Sequence, residues 1–82
     1  MARLLFFGRL GDLVGGIERT LNLSQPHMVR DLIAVIEAGD RLLGSALQED
    51  RVRYALNGVI VDGEALVEQD DELAFLPPVS GG

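Results

Sequence analysis

Only one stretch of this chain sustains a helical period, and it constrains how everything else can be arranged. Val29, Leu32, Ile33 and Ile36 recur at i, i+3, i+4 and i+7, while Arg30, Asp31 and Glu37 point elsewhere. Ser24 is placed to cap this helix, Pro26 suits a first turn, and Gly39 is a natural stop. The other apolar runs are short and alternate. A single amphipathic helix among strands buries its stripe by lying on a sheet. The expected fold class is therefore α+β, a mixed sheet of about five strands packed on one main helix plus a short helix.

The strands follow from period and punctuation. Arg3 to Phe7 is apolar on both faces, with Leu4 and Phe6 on one side and Arg3, Leu5 and Phe7 on the other. Gly8 to Gly16 fits neither G-x-G-x-x-G nor a P-loop and reads as a turn leading to a second strand at Ile17–Leu23. Asp40 can cap a short second helix with Leu42, Leu43, Ala46 and Leu47 on one side. Asn57-Gly58 between Val52–Leu56 and Val59–Val61 is a strong hairpin signal, because both central residues must take positive φ. Gly63 to Asp71 reads as a polar crossover with a helical turn at Glu64–Val67, and Glu72–Leu76 is the last strand. Phe6, Phe75 and the helical stripe should form the core. Leu5, Phe7 and Leu76 should lie on the other sheet face, an uncovered apolar patch of the kind that marks a partner site.

Composition removes most chemistries. The 82 residues contain no Cys, and all seven basic residues are Arg. Disulfides, thiolate metal sites and lysine Schiff bases are thereby excluded. A net charge of −6 disfavours nucleic-acid backbones and favours a basic protein partner. No run approaches the ~20 apolar residues of a membrane span, so the expectation is a cytoplasmic protein with no membrane and no nucleic-acid partner. His27 is the only histidine, which argues against a metal site. Glu68–Glu72 lacks the ligand spacing of a calcium loop and reads as a solvated turn. No base can be identified for Ser80, and no carboxylate pair stands out as an acid–base couple.

What remains is the end of the sequence. Pro77-Pro78 stops the last strand, since each Pro fixes φ and lacks an N–H. Val79-Ser80-Gly81-Gly82 follows, and the six residues from Pro77 can reach roughly 20 Å when extended. We divide the chain into a domain at 1–76 and a flexible tail at 77–82. Residues without Cβ can thread a narrow channel to an activating site and adopt any backbone conformation on the way. The α-carboxylate of Gly82 is the candidate reactive group.

The segments LLFFGRL, ALNGVIVDG and DDELAFLPPVSGG, together with the length, resemble the small subunits of molybdopterin synthase. The resemblance implies a ubiquitin-like β-grasp fold and a sulfur carrier in molybdenum cofactor biosynthesis. It implies that Gly82 is adenylated, converted to a thiocarboxylate, and donates sulfur to cyclic pyranopterin monophosphate to form the dithiolene. Gly81, Ser80 and Val79 would enter the channel, and Phe7, Leu76, Pro77, Pro78 and Arg9 would meet the partner. The chain itself would bind no cofactor and no metal; ATP would be used by the activating enzyme. The implied partners are that enzyme and the large subunit, in a heterotetramer of two small and two large subunits. The chain would be the non-catalytic donor, with catalytic residues on the large subunit. Departures from the family pattern fall at Gly11, where relatives carry a basic residue, and at Leu76, Asp70 and Met28. Two alternatives share the activation chemistry: a sulfur carrier for thiamine or tRNA thiolation, and a ubiquitin-like protein modifier.

Overall fold

The structure, a computed structural model, describes residues 1–78. In chain order the elements are β1 (Ala2–Phe6), α1 (Arg9–Val14), β2 (Glu18–Leu21), β3 (His27–Met28), α2 (Val29–Gly39) and α3 (Arg41–Leu47). They are followed by β4 (Arg53–Leu56), β5 (Val59–Val61), β6 (Leu66–Val67) and β7 (Glu72–Leu76). Five strands form a mixed sheet in the order β2-β1-β7-β4-β5. β1 and β7 are parallel, and the other pairings in this sheet are antiparallel. The first and last strands are thus neighbours at the centre, and both chain ends depend on one parallel pair.

The expected core is present. Val29, Leu32, Ile33 and Ile36 of α2 are buried together with Leu4, Phe6, Leu73 and Phe75 from the sheet. Register puts Phe6 beside Phe75 and Phe75 beside Tyr54. The Phe6 and Phe75 rings stack with centroids 5.2 Å apart, and Tyr54 meets Phe75 edge-on at 5.8 Å. Such pairs add about 0.5–1.5 kcal/mol beyond the area they bury. The hairpin is as expected: Asn57 has φ 50° and Gly58 φ 85°. Asn57 also ties the hairpin to the final strand, accepting from the Glu72 N–H at 2.9 Å and donating to Asp71 at 3.1 Å.

Four expectations are corrected. The glycine-rich segment after β1 is not merely a turn; it contains helix α1, entered from Gly8 at φ 56° and closed by Gly15 in the left-handed region. Here glycines bound the helix, so their density hides it. The main helix begins at Val29, not beside Ser24, because His27–Met28 pairs with Leu66–Val67 as a two-stranded ribbon. Its first N–H groups donate to backbone carbonyls, Val29 to Ala65 and Arg30 to Gly63, both at 3.0 Å. A side-chain cap is therefore unnecessary. The same ribbon makes Leu66–Val67 a strand where a helical turn was expected. Lastly, Leu42 is 76% exposed, and Gly44 takes the place facing α2. Asp40 caps α3 as expected, accepting from the Leu43 N–H at 3.1 Å.

Candidate functional site at the root of the tail

The sheet has two faces, and the helices cover only one. On the uncovered face, register aligns Leu5, Ala74, Ala55 and Ile60 in one row across β1, β7, β4 and β5. Leu5 and Leu76 are half-buried, Ile60 is exposed, and Phe7, just past the end of β1, is 41% exposed. Polar groups flank this apolar band. The Arg3–Glu72 ion pair lies toward one end, and Arg53, opposite Leu76, lies toward the other.

Leu76 ends β7 and Pro77 follows it directly, so the band leads into the root of the tail. The Phe7 N–H donates to the Phe75 carbonyl at 3.2 Å, which keeps the ends of β1 and β7 together where the tail departs. Gly8 then passes against the Pro77 ring: a Cβ on Gly8 would lie 2.8 Å from Pro77 Cγ, and its φ of 56° already favours glycine. Sequence reasoning did not single out Gly8. Its signal, a Gly directly after the strand, was present but also fits an ordinary turn.

Arg9 stands apart from Phe7 and Leu76. It begins α1 and lines a groove between α1 and α3 with Leu10, Leu13, Ala46, Pro77 and Pro78. The tail root therefore has two flanks, an apolar sheet face and this groove. Gly11, where a basic residue was expected from the resemblance, lies on the buried face of α1, and a Cβ there would lie 2.8 Å from the Phe6 carbonyl oxygen. In this chain that position supports close packing of α1 on β1. The residues assigned to the tail itself, Val79, Ser80, Gly81 and Gly82, lie outside the described residues.

Elsewhere the described residues assemble no reactive constellation. The Tyr54 phenol donates to the Leu47 carbonyl at 3.2 Å, and burial pushes its pKa up, so it stays a neutral donor. His27 Nδ1 lies 2.8 Å from the Gln25 carbonyl. The acidic turn is internally bonded: Asp71 accepts from the Glu68 N–H at 2.8 Å, and Asp70, at φ 76°, meets the Met1 ammonium at 2.9 Å. No helix among the described residues is long and apolar enough to cross a membrane.

Comparison with known proteins places this geometry in context. A family model described as the ThiS family matches residues 4–82. A relative from Haemophilus influenzae, named molybdopterin synthase sulfur carrier subunit, is 32% identical, and the match covers 100% of both chains. A relative of the same name from Chlamydomonas reinhardtii is 35% identical over 98% of this chain and 96% of its own. Among solved structures, SAMP1 from Haloferax volcanii superposes with a TM-score of 0.84 at 23% identity, covering 99% of this chain and 98% of that one. A chain from the complex of subunits 1 and 2 of the molybdopterin-converting factor of Helicobacter pylori gives a TM-score of 0.65 at 21% identity, covering 99% and 97%. These neighbours share the ubiquitin-like β-grasp fold.

Proposed function

Because this chain belongs to the ThiS family, we propose that it is the sulfur-carrying small subunit of a molybdopterin synthase. The observation that carries the reading is kinship over the whole chain with relatives of that name, in a family match that runs through Gly81 and Gly82. The uncovered sheet face beside Pro77 supports it, because a carrier must dock before its tail can be used.

In this reading an activating enzyme uses ATP to adenylate the Gly82 carboxylate. A carboxylate oxygen attacks the α-phosphorus and pyrophosphate leaves. Hydrosulfide from a sulfur donor then attacks the acyl carbon, AMP leaves with the bonding electron pair, the proton passes to solvent, and the product is a thiocarboxylate. Its sulfur, a better nucleophile than the parent carboxylate, bonds to a carbon of cyclic pyranopterin monophosphate as an oxygen substituent leaves with its electron pair, and water then cleaves the acyl–sulfur bond and returns the Gly82 carboxylate. One dithiolene holds two sulfurs, so two charged carriers serve each product. The chain donates; the large subunit supplies the catalytic residues, in a cytoplasmic heterotetramer with two copies of each subunit. The apolar band with Phe7 and Leu76 would dock on that subunit. A solved complex of the two subunits in a fold neighbour is in keeping with this assignment.

Acceptor exchange tests the reading. Supplied with the large subunit and cyclic pyranopterin monophosphate, the thiocarboxylate form should yield the dithiolene. Supplied with a thiazole-forming or tRNA-thiolating acceptor system, it should yield none. Transfer only to the latter would reassign the carrier, and attachment to protein lysines would make it a modifier.

A further inference from the structure

The open sheet face is small for a subunit that must stay bound to its partner. Its apolar row holds Leu5, Ala74, Ala55 and Ile60, and two of these four are alanines. Five strands at ~4.8 Å spacing and five residues along β1 at ~3.3 Å each give a footprint of roughly 300 Å². A stable interface buries about 800 Å² on each partner. Small side chains add little relief to the sheet, so the remaining contact has to come from a neighbouring surface.

The groove between α1 and α3 is that neighbour. It has a volume of about 330 Å³, and Leu10, Leu13 and Ala46 make its lining apolar. Leu13 is 45% exposed although Leu10, in the same helix, is buried. Leu42, 76% exposed, stands four residues before Ala46 on the same face of α3, so the apolar strip continues beyond the groove. Asp12 and Glu49 also line the groove and are exposed, as is Arg9. Its carboxylates therefore outnumber its cation. Pro77 and Pro78 belong to both flanks, because they follow Leu76 directly and also line the groove. A partner that closes round the tail root reaches the sheet face and the groove together.

We propose that this groove is a second docking site for the large subunit: it takes an apolar side chain of that subunit, with a Lys or Arg beside it that meets Asp12 and Glu49. The proposal rests on the carrier reading, which supplies the large subunit as the lasting partner. The apolar side chain displaces water from Leu10, Leu13 and Ala46 and acts as the anchor. The charge pair sets orientation and speeds encounter more than it adds affinity. An acidic rim on a chain of net charge −6 repels a second copy of itself and favours a basic visitor.

Calorimetric titration of the full chain with the large subunit, at low and at high salt, tests this. Leu13→Ala should weaken binding at least 5-fold, and Ala46→Glu, which places a charge in the groove, at least 10-fold. Glu49→Arg should slow association several-fold and flatten the dependence of affinity on salt. Val35→Ala is the control, an exposed apolar side chain on α2 outside both flanks, and should bind as the native chain does. Melting curves check that each variant folds; should Ala46→Glu fail to, the exposed Leu13 carries the test. Groove variants that bind like the native chain would overturn the proposal, and so would an equal loss in Val35→Ala. Loss confined to the activating enzyme would overturn it too. Failure of the native chain to bind the large subunit at all would instead sink the carrier reading and the groove with it.

Discussion

Phe7 and Leu76 present apolar surface at the point where the chain leaves its sheet. Phe7 contributes its backbone N–H to Phe75, a bond that any side chain would preserve, while its ring remains partly in solvent. Truncating it removes little core contact. We expect Phe7→Ala and Leu76→Ala to weaken binding of the large subunit by about 1–3 kcal/mol each, the usual loss for an interface anchor. Thermal unfolding of the free chain should change far less. Calorimetric titration checks the first effect and a melting curve the second; unchanged affinity would remove these side chains from the docking surface. Both residues were legible from strand alternation alone, because Leu4 and Phe6 had to point inward. Arg9 was not, since its position depends on a helix that the glycines concealed. The packing roles of Gly8 and Gly11 were out of reach for a related reason: their close approaches, to the Pro77 ring and to the Phe6 carbonyl, are tertiary contacts.

Among the elements, α2 and α3 show how far local pattern reaches. The stripe of α2 identified its buried face correctly because four large apolar residues agree on one direction. In the seven-residue α3 the pattern is ambiguous, and a small residue decides it. A Cβ on Gly44 would lie 2.4 Å from Glu37 Cβ and 2.6 Å from Glu37 Cα, so α3 crosses α2 at a glycine. Leucine was favoured at the buried position, yet the contact required the absence of a side chain. Gly44→Ala should therefore destabilise the fold by about 1–3 kcal/mol through overpacking. That loss outweighs or cancels the gain of up to ~1 kcal/mol expected from helix propensity. Gly39→Ala is the control: nothing lies within 4 Å of its Cβ, so the same substitution should be neutral or stabilising. Urea unfolding of the two variants would expose the difference in sign. The β3–β6 ribbon was out of reach of sequence reasoning because strands of two residues carry no period, and their pairing replaces the helix cap that Ser24 suggested.

Across the whole molecule, the parallel pairing of β1 with β7 holds the first and last strands side by side, and the tail begins where both end. The stacked Phe6 and Phe75 lock this pair against α2 from below, while Leu5 and Ala74 begin the apolar row on the opposite face. A sheet with one uncovered apolar face, the docking face of the proposed function, thus leads into a sequence that has no side chains at Gly81 and Gly82. A net charge of −6 makes the chain acidic, and without lysine it has no side-chain amine of its own. In the proposed function the Gly82 carboxyl group is the working part of the protein. Intact mass spectrometry after incubation with ATP, an activating enzyme and a sulfur source tests it most directly. The expected result is a mass gain equal to the replacement of one oxygen by sulfur, lost when Gly82 is deleted; no gain, or the same gain without Gly82, would rule out Gly82 as the sulfur-bearing residue.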